Sequence, residues 1–226
     1  MSLPVLPSPD PSAALGAHPD GSGTQFSLWA PRATRVELAL VAGDRSQRNV
    51  ELTGGSDGVW TTYVPGVGHG TLYGYRVHGP WRPEHGERFN PAKLLLDPYA
   101  RTITGGIDYA GPIRDHTPES NYLPDPTDSF QAVPLSVVVD PTPPPVPIRR
   151  PMSESVIYEL HVKGYTRLHP LVPEHRRGTF SGLTHPTVLE HLITTGVTAV
   201  ELLPIHHFVS ESFVVGSGLS NYWGYN

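Results

Sequence analysis

Pro186-Thr187-Val188-Leu189-Glu190-His191-Leu192-Ile193-Thr194-Thr195-Gly196 runs directly into Val197-Thr198-Ala199-Val200-Glu201-Leu202-Leu203-Pro204. The first part carries Val188, Leu189, Leu192 and Ile193 as an apolar stripe at helical spacing. Pro186 suits the opening position, where a backbone N–H has no partner inside the helix, and Gly196 supplies the left-handed stop. The second part is apolar nearly throughout and ends at Pro204. That pattern reads as a strand covered on both faces, hence as a parallel sheet. Upstream, Ser155 to His161 is β-rich, with Val156, Ile157, Tyr158 and Leu160. Strand, loop, helix and strand together make a βαβ unit. Two strands and one helix cannot close a barrel or cover an open sheet, so the chain is expected to end inside a domain.

Working toward the N-terminus, the period changes. Pro141, Pro143, Pro144, Pro145, Pro147 and Pro151 crowd one stretch, and Pro112, Pro118, Pro124, Pro126 and Pro134 precede them. Each removes a backbone donor and biases its predecessor toward extended geometry. Residues 111–151 therefore read as a stiff Pro-rich linker, in which the apolar Leu135 to Val139 is the one segment suited to pairing with a sheet. Before it, alternation takes over. Phe26 and Leu28, then Val36, Leu38 and Leu40, then Trp60, Thr62 and Val64, then Tyr73, Tyr75 and Val77 each line one side of a short run. Glycine-rich turns such as Gly54-Gly55-Ser56-Asp57-Gly58 separate these runs, which is the signature of a small antiparallel β-sandwich. The expected division is a sandwich over 12–110, the linker over 111–151, and a further domain over 152–226.

Composition narrows the class. The 226 residues include 23 glycines and 26 prolines, just short of the range where disorder is the default, but 4 Trp, 10 Tyr and 6 Phe argue for a folded chain. Sixteen Lys and Arg against 21 Asp and Glu give a net charge of −5, with no basic stripe to displace counterions from a nucleic acid. The absence of cysteine removes disulfides, thiolate nucleophiles and Cys-type zinc sites, and fits a reducing cytoplasm. No apolar run is long enough to span a bilayer. Met1 to Pro11 has neither the cationic segment nor the apolar core of a secretory signal. The expectation is a soluble cytoplasmic protein without nucleic-acid or membrane partners; no feature sets an oligomeric state.

Several blocks resemble one family. They are Arg76-Val77-His78-Gly79-Pro80-Trp81, Arg88-Phe89-Asn90-Pro91-Ala92-Lys93-Leu94-Leu95-Leu96-Asp97-Pro98-Tyr99-Ala100, Ile157-Tyr158-Glu159-Leu160-His161-Val162-Lys163-Gly164, Gly196 to His206, and Asn221-Tyr222-Trp223-Gly224-Tyr225-Asn226. In this order they resemble bacterial glycogen debranching enzymes and isoamylases of the α-amylase superfamily. The resemblance implies a glycogen-binding-module-like β-sandwich followed by the first βαβ part of an incomplete (β/α)₈ barrel. It also implies hydrolysis of α-1,6 branch linkages in glycogen or limit dextrin, with no cofactor. Such chemistry pairs a nucleophilic carboxylate with a carboxyl acid/base. In the family these lie on later barrel strands, so no catalytic residue is assigned and the chain is expected to be inactive alone.

The resemblance makes Tyr225 a sugar contact, since the family's aromatic at this position stacks on the sugar beside the cleaved bond. Trp223 and His206 are the other candidate substrate contacts, His206 through a hydrogen bond to a glucosyl hydroxyl. A metal at His161, His206 and His207 is disfavoured, because adjacent histidines on an extended segment point to opposite sides. A rival reading is a non-catalytic glucan-binding or interaction module, in which Tyr73, Tyr75 or Trp81 would line an exposed groove. Branching enzyme, pullulanase and maltooligosyltrehalose trehalohydrolase share the sandwich-then-barrel plan, and the block from Asn221 to Asn226 favours the debranching and isoamylase group. Residues beyond about Pro151 are expected to be the less stable part, and Arg88 to Tyr99 to cap the sandwich or contact the barrel, with turns at Asn90-Pro91 and Asp97-Pro98.

Overall fold

Every alternating run folds as a strand. A computed structural model describes residues 14–143 and 145–226; the Met1 to Pro11 stretch lies outside the described residues. The strands are β1 (Gly16–Pro19), β2 (Gly23–Trp29), β3 (Arg35–Val41), β4 (Gln47–Glu51), β5 (Thr53–Gly54), β6 (Val59–Pro65) and β7 (Leu72–His78). Then come β8 (Trp81–Arg82), β9 (Glu87–Arg88), β10 (Thr102–Thr104), β11 (His116–Thr117), β12 (Ser120–Pro124) and β13 (Leu135–Val137). One sheet has the order β1-β2-β6-β5 and the other β10-β13-β7-β3-β4. All pairings within them are antiparallel, with Phe26 opposite Thr62 and Leu38 opposite Tyr75.

A single core joins the two sheets. Phe26 and Leu28 of β2 and Val64 of β6 pack with Val36, Leu38 and Leu40 of β3 and Tyr73, Tyr75 and Val77 of β7. Phe26 meets Tyr73 edge-on at 5.1 Å, and Tyr73 meets Tyr75 in the same way at 6.0 Å. The opposite face of the β3–β7 sheet is also covered. Ala39 and Val41 pack there against Leu94, Phe130 and Leu135. This cover comes from the Arg88–Tyr99 block, which caps the sandwich, and from residues 130–135.

Gly74 allows that approach. A Cβ on it would stand 2.9 Å from the Leu95 carbonyl oxygen. Leu95 and Tyr75 exchange both backbone hydrogen bonds, each 2.8 Å. The two turns form where the Asx-Pro pairs predict them. Lys93 N–H donates to the Asn90 carbonyl and Ala100 N–H to that of Asp97, while Ala92 N–H and Tyr99 N–H donate to the two Asx side chains.

The chain divides into two compact units that meet at Pro143 and Pro144. The stretch read as a linker is therefore shared between them. Its first part carries β10's partner β13, which pairs with β7, together with the buried Phe130, Ala132 and Leu135. Proline restricts φ in this stretch without preventing it from packing.

The second unit holds β14 (Ile157–Leu160), α1 (Val162–Thr166), α2 (Phe180–Leu183), α3 (Pro186–Thr194), β15 (Ala199–Leu202) and α4 (Ser212–Gly216). β14 and β15 are parallel, with Tyr158 opposite Val200. Pro186 opens α3. Gly196 N–H donates to the Ile193 carbonyl and Val197 N–H to that of Leu192, a Schellman closure. Val188 and Leu192 are buried with Val172, whereas Ile193 is 72% exposed. The expectation of a strand covered on both faces differs from what is observed: Val200 and Ile157 are exposed, because β14 and β15 form a two-stranded sheet by themselves. Among the described residues no helix is long and apolar enough to cross a membrane.

Candidate functional site

In the second unit a pocket of about 240 Å³ opens where the two parallel strands end. His161 and Lys163 follow β14; Pro204, Ile205 and His206 follow β15; and Phe180, Phe208, Asn221, Tyr222 and Trp223 complete most of the wall. His161 has two structural tasks. Its Nδ1 accepts from Gly164 N–H at 3.0 Å, capping α1. Its Nε2 lies 2.9 Å from the Tyr222 carbonyl oxygen, which can only accept. The two bonds together make Nδ1 the acceptor and Nε2 the donor of this ring.

The same ring stacks on Tyr222, with centroids 4.4 Å apart and planes 13° from parallel. Trp223 meets both rings edge-on, His161 at 5.6 Å and Tyr222 at 5.2 Å. The Lys163 ammonium stands 5.9 Å from the Tyr222 ring centroid. The turn that presents these aromatics is built by Asn221 and Gly224. Asn221 Oδ1 accepts from Gly224 N–H at 2.9 Å. Gly224 sits at φ +79° against Phe208, where a Cβ would come within 3.1 Å of the ring. The outcome is an aromatic wall with hydrogen-bonding groups from His206, Asn221 and Lys163 around it, and no carboxylate in the lining.

Of the residues singled out in the sequence, Trp223 and His206 line this pocket. Tyr225 is not in the lining and is 73% exposed. Tyr222 and His161 line it too; from sequence, His161 is weighed only as a disfavoured metal ligand and Tyr222 has no role in a site. The available signal was a histidine placed between a strand and a helical start, which is an N-cap position. Among the described residues no three His, Asp or Glu side chains are grouped so as to hold a metal ion.

In the first unit the aromatics are mostly committed to structure. Tyr73 is fully buried and donates to Asp97 at 2.7 Å. Burial raises the Asp97 carboxyl above its ordinary range, opposed by the bonds from Tyr73 and Tyr99 N–H. Trp81 donates to the Tyr122 carbonyl at 2.8 Å beneath the Arg88 guanidinium, 5.1 Å from its ring. Tyr73 and Tyr75 are fully buried, so of the three aromatics named for the module-only reading only Trp81 is partly exposed.

Residues 112–128 are held by three buried or half-buried cations. Lys93 Nζ donates to Asp125, Pro112 O and Thr127 O, all within 2.9 Å. Arg76 reaches Asp128, Gln47 and Pro91 O, and Arg88 pairs with Asp115.

This architecture defines a class: residues 14–100 match Carbohydrate-binding module 48 (Isoamylase N-terminal domain). The pullulanase from Paenibacillus barengoltzii, in complex with maltohexaose and α-cyclodextrin, is similar at 27% identity and TM-score 0.63, covering 98% of this chain and 32% of that one. The pullulanase from Anoxybacillus sp. LM18-11, complexed with maltotetraose, is similar at 25% identity and TM-score 0.60, covering 87% of this chain and 26% of that one. The catalytic module of the glycogen-degrading pneumococcal virulence factor SpuA shares the fold, with TM-score 0.65 at 24% identity over 87% of this chain and 27% of that one. Residues 14–100 are thus similar to an isoamylase N-terminal module, and the chain as a whole is similar to part of solved pullulanase structures. It spans between 26% and 32% of the length of the three solved structures.

Proposed function

We propose that this chain is the glucan-engaging N-terminal part of a hydrolase acting on α-1,6 branch linkages of glycogen or limit dextrin. In this reading β14, α3 and β15 are the opening of a (β/α)₈ barrel. The observation that carries it is the position of the pocket. Its walls follow the C-terminal ends of two parallel strands, which is the end where barrels and open α/β sheets bind their ligands. The wall chemistry agrees. A pyranose has an apolar C–H face suited to Tyr222 and Trp223, and edge hydroxyls suited to His206 and Asn221. In this reading the exposed Tyr225, two residues beyond Trp223, offers a further ring to the sugar.

Glycoside hydrolysis of this type needs two carboxyl groups across the scissile bond, and none lines the pocket. In this reading the 226-residue chain binds without turnover. Calorimetric titration with maltohexaose tests the binding. Removing one stacking ring in Trp223→Ala should weaken it about tenfold, and a folded chain with no affinity would refute the reading. New reducing ends from branched glucan, above a heat-killed control, would refute the absence of turnover.

A further inference from the structure

Tyr222 and Trp223 line the second unit's pocket, yet neither is packed into a core: they are 43% and 53% exposed. A ring on a surface turn is free to change rotamer, and having to order it on binding weakens affinity. The turn itself is tied back along the chain. Val209 N–H donates to the Asn226 carbonyl and Asn221 N–H to Ser210 Oγ, each at 2.9 Å. Val209 and Ser210 both lie in the stretch that follows β15. His161 reaches the turn from the other strand. It stands between β14 and α1 with its Nδ1 engaged by Gly164 N–H, so its ring has a fixed direction. From there Nε2–H donates to the Tyr222 carbonyl at 2.9 Å, and the face of the imidazole lies on the Tyr222 ring. Gly164 supplies the remaining requirement, which is room. A Cβ there would stand 2.6 Å from Tyr222 Oη. Glycine inside a helix is destabilising relative to alanine, and here its missing side chain lets the Tyr222 ring settle against the β14–α1 junction.

We propose that His161 is a positioning residue for this pocket: one imidazole, anchored at the start of α1, holds Tyr222 and through it the edge-packed Trp223 in the arrangement that forms the wall. Gly164 is its necessary partner. His161 acts on affinity by ordering two rings in advance and makes no contact with the sugar itself. What the wall receives rests on the glucan reading above; how the wall is held stands on the geometry of this unit alone.

His161→Asn separates the two tasks of the ring, because an asparagine Oδ1 still caps α1 but neither stacks nor reaches the turn. In calorimetric titration of the full 226-residue chain with maltohexaose it should weaken binding about tenfold. In a Tyr222→Ala background the same change should have no further effect, since there is no longer a ring to hold. An equal loss in both backgrounds makes His161 a direct sugar contact and overturns the proposal, as does unchanged affinity in a folded His161→Asn. Gly164→Ala should weaken binding in the parent but not in Tyr222→Phe, which lacks the clashing hydroxyl. A loss of the same size in Tyr222→Phe overturns the part given to Gly164. Hydrogen exchange without sugar decides the positioning role even where the parent fails to bind, an outcome that would remove the glucan reading alone. Gly224 N–H, buried and bonded to Asn221, should exchange about tenfold faster in His161→Asn, while Tyr165 N–H of α1 keeps its rate. An unchanged Gly224 rate overturns the positioning role.

Discussion

In the first unit the sheet containing β3 and β7 is buried on both faces: Leu38 and Tyr75 point into the sandwich, and Ala39 and Val41 lie under Leu94 and Phe130. In the second unit the β14–β15 pair leaves Ile157 and Val200 exposed, and its buried cluster centres on Val172, Val188 and Leu192. The difference teaches where cooperativity resides. Apolar burial contributes about 25 cal/mol per Å², and local opening is easiest where buried contacts are few. The first unit has the makings of a self-sufficient fold, while the second presents apolar surface suited to further partners.

The sharpest way to break this contrast is Leu38→Ala. Leu38 is fully buried between the sheets, so denaturant unfolding should show a loss of about 3 kcal/mol or more for the first unit. A loss below about 1 kcal/mol would mean that the sandwich core is not what stabilises it. Next comes Asp97→Ala. It strands the Tyr73 hydroxyl and the Tyr99 N–H, and should cost about 2 kcal/mol in the same measurement.

Acid should act on one region of the first unit. Hydrogen bonds from Arg88 and Lys93, foremost among the causes, hold Asp115 and Asp125 down to about 2. Their contribution is fully present above the ordinary carboxylate range near pH 4 and is lost as pH falls toward 2. Asp97 works in the opposite sense: burial raises it, so its contribution grows as the pH falls. Hydrogen exchange should therefore show residues 112–128 releasing between about pH 4 and 2, before the strands β3 and β7. Simultaneous release of all three would refute this.

The smallest effect belongs to the second unit. Ile193→Ala, at a largely exposed helical position, should change stability by less than about 0.5 kcal/mol. Limited proteolysis should remove this unit first, leaving a product that ends between Pro143 and Pro151. Uniform resistance through Asn226 would erase the contrast between the units.

The inward faces of the strands were legible because alternation is a local signal: Val36, Leu38 and Leu40 declare themselves within seven residues. Burial of Ala39 and Val41 was not, since their cover arrives from Leu94 and Phe130, far along the chain and inside stretches that read as turns and prolines. The helix and its Gly196 stop were legible for the same local reason, but the exposure of Val200 depends on which strands stand beside it. At the candidate site the aromatics near Trp223 stood out by type and resemblance. His161 stood out only as a metal candidate and not for this role, because its partner is a backbone carbonyl at Tyr222, and no residue identity advertises that.

Gly74 and Leu95 carry a further consequence. β13 accompanies β7 only as far as Tyr73, and Leu95 then occupies the rim with its own amide and carbonyl. A neighbouring molecule finds no vacant ladder there on which to lengthen the sheet. Concentrated solutions of the first unit should stay dispersed, and Gly74→Ala, by levering Leu95 off the rim, should open a seam along which filaments can grow.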